Sequence, residues 1–166
     1  MNQIAKFSKV SFEQYQKDVI ASGRWTDNTE MLRKEWENIR LPERATKGSA
    51  GYDFFLPYFT ALSKNPVCFP TGIRCEIEPG WVLMLFPKSG LGFKHHMVLD
   101  NTAGVIDADY YHSDNEGHIQ AKFRADHPFT LEAGMKYMQG IFLPFGITKD
   151  DAADGVRNGG FGSTGA

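Results

Sequence analysis

Beyond Pro42 the chain breaks into short β-like stretches at 52–57, 67–69, 72–77, 81–86, 97–99, 104–108, 118–123, 129–131 and 139–144. They are rich in β-branched and aromatic residues, and turn signals such as Glu78-Pro79-Gly80 and Ser113-Asp114-Asn115 separate them. One short strand cannot bury its apolar face alone, so many of them at close spacing must wrap around a shared core. The pattern predicts a mainly β fold: a sandwich, jelly roll or related barrel.

The first forty residues read differently. Positions 4–10 alternate enough for a short strand. Ser11 and Gln14 have the spacing of a capping box, and Phe12, Tyr15, Val19 and Ile20 fall on one helical face that Gly23 closes. A second helix is expected from about Asp27, with Leu32, Trp36 and Ile39 as its apolar stripe, a Glu30/Lys34 pair, and Pro42 as its stop. The expected organisation is a strand–helix–helix appendage over 1–41, a β core over 42–148, and a glycine-rich flexible tail over 149–166.

With 166 residues, 42% of them apolar, the chain suits one domain with a real core. Its 18 basic and 20 acidic residues give a net charge of −2, which argues against a general nucleic-acid binder but not against a site for one small anion. No apolar run is long enough for a membrane span, and the N-terminus lacks a signal-peptide core. Cys68 and Cys75 therefore read as reduced thiols of a cytoplasmic protein. His95 and His96 are adjacent, point apart, and read as ordinary surface or turn residues.

Five polar, glycine-bearing segments interrupt the strands: GSAGYD (48–53), PKSGLG (87–92), DNTAGVIDADYY (100–111), MKYMQGIF (135–142) and RNGGFGSTGA (157–166). Each alone is weak evidence. By spacing, Asp107 reads as a solvated turn acid, Lys88-Ser89-Gly90 as a plain glycine turn, Gln139 as a strand residue with a local partner, and Tyr110 as a strand aromatic. Arg157 and Phe161 are harder to dismiss, because a merely floppy terminus has no need of them among its glycines.

Together, in this order and with ATKGSAGYD and FPTGI beside them, the segments resemble the five motifs of the trimeric dUTPase family, from about Pro42 to the C-terminus. The resemblance implies a dUTPase-like β-clip or jelly-roll barrel, a homotrimer, and hydrolysis of dUTP to dUMP and pyrophosphate with Mg²⁺. That reaction limits uracil in DNA and supplies dUMP for dTMP synthesis. It also implies roles. Asp107 orients the water that attacks the α-phosphorus. Asn101 and the backbone near Gly104, Val105 and Ile106, in a hairpin, read uracil. Tyr110 packs beneath the deoxyribose and excludes a 2′-hydroxyl.

Lys88, Ser89 and Gly90 cradle phosphate oxygens, Gln139 bonds near the α-phosphate, and Asp53 stands near the metal–phosphate region. Mg²⁺ itself is held mainly by the triphosphate and waters, with Asp53 in its outer shell and no dedicated protein cage. Arg157 contacts the γ-phosphate, Phe161 stacks on uracil, and Gly162 and Ser163 complete a lid that closes over substrate. Each site is expected to combine motifs one, two and four of one chain, motif three of a second and the tail of a third.

The chain departs from the family pattern in several places. Lys88 and Lys136 stand where Arg is common, Gly92 replaces an Ala, and YHSDNE (111–116) lengthens the link between Tyr110 and Gly117. Lys keeps the charge but loses the bidentate fork. The 157–161 spacing is tight, as in a bacterial and bacteriophage subset. Two other readings use the same fold: a dCTP deaminase-type relative, and a nucleotide-switched regulatory protein whose appendage and 113–116 insertion contact a protein partner.

Overall fold

The computed structural model describes residues 2–24 and 28–160. In chain order the elements are β1 (Ala5–Lys9), α1 (Phe12–Ala21), α2 (Thr29–Glu37), β2 (Glu43–Arg44), β3 (Tyr52–Phe55), β4 (Thr60–Leu62), β5 (Val67–Pro70), β6 (Ile73–Ile77), β7 (Trp81–Pro87), α3 (Ser89–His95), β8 (Val98–Leu99), β9 (Gly104–Ile106), a 3₁₀ turn (Ala108–His112), β10 (Gln120–Arg124), β11 (Phe129–Leu131) and β12 (Lys136–Pro144). The fold is mainly β, as the spacing of the apolar stretches predicts.

A five-stranded sheet, ordered β2-β3-β12-β7-β9, is flanked by a three-stranded sheet β5-β10-β8 and by the pairs β1-β6 and β4-β11. The alternation works as expected. In β6 the side chains of Ile73, Cys75 and Ile77 are buried while Glu76 is exposed, and in β10 Ala121 and Phe123 point inward. Phe54, Phe69, Phe123 and Tyr137 are almost wholly buried in the core between the sheets. Burying each of the three phenylalanines contributes about 1.5–3 kcal/mol relative to exposure.

The appendage packs on this core. Phe12, Tyr15 and Val19 of α1 and Leu32 of α2 are buried, while Ile20, expected on the same face, is 57% exposed. Ile20 follows Val19 directly, and the helical step of about 100° carries it off the buried stripe. α2 begins later than expected: Asn28 is its cap and accepts from the Met31 amide. Asp27 lies outside the described residues. The helix also ends at Glu37, well before Pro42, because Asn38 and Lys9 satisfy its last carbonyls.

Three further differences bear on the site. β2 and β4 are additions to the expected strands; each is short, and each exists through its neighbour, β3 and β11 respectively. PKSGLG is not a glycine turn, because Lys88 caps the helix α3, whose Leu91 packs on the core and whose C-terminus His96 closes in a left-handed conformation (φ 52°). Tertiary packing there overrides the poor helix propensity of two glycines. Finally, 100–111 is not a hairpin. β8 pairs with β10, whereas β9 pairs with β7, so the turn at Asp100–Thr102 carries the chain from one sheet to another. Tyr110 then falls in the 3₁₀ turn rather than in a strand.

Candidate active site

Two clusters hold the sequence candidates. The first lies where β3, β12 and the end of β7 meet. Asp53 faces Gln139 across the β3–β12 ladder, and Gln139 also faces Phe86 of β7. Asp53 is buried, and Lys88 Nζ reaches its Oδ1 at 2.7 Å while Lys136 Nζ reaches Oδ2 at 2.8 Å. Desolvation alone would raise this carboxyl. The hydrogen bonds and charges of Lys136 and Lys88 outweigh it and hold Asp53 below the usual carboxylate range. Gln139 Nε2 donates a long bond (3.5 Å) to the carbonyl of Pro87. Ser89 and Gly90, at the start of α3, are exposed next to this cluster in sequence.

The second cluster follows β9. A pocket of about 390 Å³ is lined by Asn101, Gly104, Val105, Ile106, Tyr110 and Arg157, and from the other side by Leu85, Gln120 and Lys122. Its size is that of a small-ligand site. Asp107 does not line the pocket. It accepts from Arg157 Nη2 at 2.6 Å, and Arg157 Nε lies 3.1 Å from Asp109 Oδ1, so one guanidinium bridges two carboxylates. Arg157 also sits 5.9 Å from the centre of the Tyr110 ring. The tail approaches that ring so closely that a Cβ on Gly160 would fall 2.7 Å from it. Phe161, Gly162 and Ser163 lie outside the described residues.

The expected residues thus gather into two groups rather than one. Among the described residues no hydrogen bond or ion pair joins the Asp53 group to the Asp107 group. Within the single chain, Arg157 rests on Asp107.

Gln120 and Lys122, which line the pocket, and Asp109, paired with Arg157, are candidates that the sequence alone does not point to. Gln120 and Lys122 are within reach of the alternation rule: with Ala121 and Phe123 buried, their side chains must share the opposite face of β10. Asp109 carries no such signal.

Both Asp53 oxygens face ammonium groups, and that cluster holds one more cation than anion. Such a set attracts phosphate oxygens and leaves a bare cation no open carboxylate. Among the described residues no group of three His, Cys, Asp or Glu side chains is placed to hold a metal ion. Mg²⁺ fits here only in company with phosphates.

Paired lysines at a sheet end, and a pocket of about 390 Å³ beside an arginine–carboxylate pair, have the chemistry to receive a phosphorylated small molecule. Comparison with known proteins agrees. The dUTPase family matches residues 37–165. The deoxyuridine 5'-triphosphate nucleotidohydrolase of Lactococcus lactis subsp. lactis (strain IL1403) is 38% identical over 134 residues, covering 77% of this chain and 89% of that protein. Among solved structures, the dUTPase from Streptococcus mutans aligns with a TM-score of 0.63 at 33% identity, over 86% of this chain and 98% of that one. The Staphylococcus bacteriophage 80alpha dUTPase, solved with dUPNHPP, aligns with a TM-score of 0.62 over 99% of this chain and 100% of that one. At 20% identity it shows likeness of fold alone. The chain belongs to the dUTPase family.

Proposed function

We propose that this chain hydrolyses dUTP to dUMP and pyrophosphate, in the cytoplasm, and so limits uracil in DNA while supplying dUMP for dTMP synthesis. The observation that carries the reading is the placement of Asp107: one residue past the pocket-lining stretch Gly104–Ile106, with a tail arginine on its carboxylate.

Asn101 and the backbone of 104–106 bind the pyrimidine edge, and Tyr110 lies under the sugar. Asp107 holds a water and accepts its proton as the oxygen attacks the α-phosphorus. The bond from that phosphorus to the α–β bridging oxygen breaks, and pyrophosphate leaves. Lys88, Ser89, Gly90 and Gln139 bind and orient the phosphate chain, with Lys136 keeping Asp53 ionised between the two ammonium groups. Substrate draws Arg157 off Asp107 and onto the γ-phosphate, which frees the carboxylate, while Phe161, Gly162 and Ser163 close over the base. Mg²⁺ would be held by the triphosphate, with Asp53 as the outer-shell residue beside it, and would supply charge neutralisation on the phosphate oxygens.

The separation of the two clusters supports a homotrimer in which the Asp53 group of one chain faces the Asp107 group of another across three shared sites. The regulatory reading is less favoured: in the 113–116 insertion Ser113 is buried and the Glu116 carboxylate is tied to Ser11, which leaves Asp114 as its exposed residue.

Pyrophosphate release from dUTP, dTTP, dCTP and UTP with Mg²⁺ tests the proposal. Turnover confined to dUTP is expected. Ammonia release from dCTP, or binding of dUTP with no turnover, would replace it with the deaminase or regulatory reading.

A further inference from the structure

The 113–118 loop is bonded on three sides. Toward the pocket, Asn115 Nδ2 donates to the Tyr110 hydroxyl at 2.7 Å, and that hydroxyl donates to the His118 carbonyl at 2.9 Å. Burial pushes the Tyr110 hydroxyl up, so it stays protonated and able to donate. Gly117 has φ +67° and its place would put a Cβ 2.6 Å from the Tyr110 carbonyl, so only glycine lets the loop close on that turn. Toward the tail, the Asp114 amide donates to the carbonyl of Asn158, next to Arg157.

The third side is α1. Ser11 caps that helix through its Oγ, but the Gln14 side chain does not reach back as a capping box would require; it goes to Asp18. Glu116, 105 residues away, supplies the missing arm by accepting from Ser11 N (2.8 Å) and Ser11 Oγ (2.5 Å). It does so with a left-handed backbone (φ 58°), unfavourable for a residue with a Cβ.

Fully buried His118 accepts the Gly72 amide on Nε2 (2.7 Å). Its neutral ring must therefore carry the proton on Nδ1, which it donates to Asp18 (2.5 Å). Ser11, Gln14 and Asp18 form one polar stripe along α1, beside the apolar stripe of Phe12, Tyr15 and Val19.

We propose that α1 takes part in substrate selection: Ser11, Asp18, Glu116 and His118 are positioning residues that fix the 113–118 loop and, through Asn115, the seat of Tyr110. This rests on the reading of Tyr110 as the residue under the sugar. The appendage thereby sets how well a deoxyribonucleotide is told from a ribonucleotide.

The test compares kcat/KM for dUTP and UTP in the full chain and its variants. Glu116→Ala is expected to lower the dUTP/UTP ratio by about tenfold, as a small displacement at a contact residue does, mainly through KM for dUTP. Glu116→Gln, which still accepts from Ser11, should recover most of the ratio, and Asp18→Asn should lower it again. Glu35→Gln is the structural control. It weakens the Arg24–Glu35 pair, which reaches α1 only through a long bond from the Tyr15 hydroxyl (3.4 Å) and bonds none of Ser11, Asp18, Glu116 and His118, and should lower Tm without moving the ratio. Tyr110→Ala reads the underlying assignment.

If Tyr110→Ala collapses the ratio while Glu116→Ala and Asp18→Asn leave it intact, the positioning role is wrong and the reading of Tyr110 stands. If Tyr110→Ala leaves the ratio unchanged, both fall. A ratio that tracks Tm across all variants, Glu35→Gln included, also overturns the proposal.

Discussion

Asp53 and Asp107 are both carboxylates matched with cations, and they are held in opposite ways. Asp53 is built into a sheet, buried, opposite Gln139 in a ladder, with an ammonium group on each oxygen. Asp107 stands between a short strand and a 3₁₀ turn, with its side chain 39% exposed, and its guanidinium comes from the C-terminal tail, which lies outside any strand or helix. A carboxylate locked by its fold suits fixed electrostatics. One whose partner can be drawn away by a more highly charged phosphate suits a group that must meet a water and accept a proton. In the proposed reaction the contrast is between a scaffold acid and a working acid.

Substitutions at four positions break or sharpen that contrast. Asp107→Asn should have the largest effect on the reaction, lowering kcat by about 10³-fold, within the range of a lost general base, with the unfolding midpoint little changed. Steady-state pyrophosphate release together with thermal unfolding reads both. Arg157→Ala should cost about 10²-fold in kcat/KM through lost phosphate contact, and Arg157→Lys should restore only part of it, since Lys cannot bridge two acceptors.

Asp53→Asn should cost about tenfold in activity and, unlike the first two, should cost stability as well. It leaves two lysines without their anion, and because their side chains are 27% and 43% exposed water screens them, so about 1–2 kcal/mol is expected. The sign with pH follows from the depressed carboxyl. Its contribution is fully present above the ordinary carboxylate pKa of about 4, and is lost as pH falls through the lower folded value. Urea midpoints of parent and variant should therefore differ near neutral pH and converge in strong acid. Lys88→Arg should have the smallest effect, lowering KM for dUTP by about threefold if the bidentate fork improves phosphate binding. An unchanged KM would place Lys88 in support of Asp53 rather than against phosphate.

How much of this is legible in the sequence follows from how local each feature is. Strands whose faces alternate, such as β6 and β10, are readable to within a residue or two, and Ser11 caps α1 where its chemistry places it, with Gly23 one residue past the C-cap Ser22, although Gln14 does not close the capping box. α3 is hidden because Gly90 and Gly92 argue against a helix that Leu91 and His96 stabilise through packing and capping. The 100–111 segment reads as a hairpin because a turn between two strands looks the same whether or not the strands pair with one another. The motif residues are recognisable only through their resemblance to a family. The bonds from Ser11 to Glu116 and from Asp18 to His118 span 105 and 100 residues, and no local pattern encodes a contact at that range.

Whether the Asp53 group and the Asp107 group are halves of one site contributed by different chains is tested most directly by subunit complementation. One chain carries Asp107→Asn and the other Lys88→Ala with Gln139→Ala, each nearly inactive alone, and the two are refolded together at equal amounts. If the halves come from neighbouring chains, about a quarter of the sites in randomly mixed trimers draw both halves intact, and dUTP hydrolysis returns to about that fraction of the parent rate. If both halves serve one chain, every site stays defective, and no recovery above the separate variants would contradict a site shared between chains.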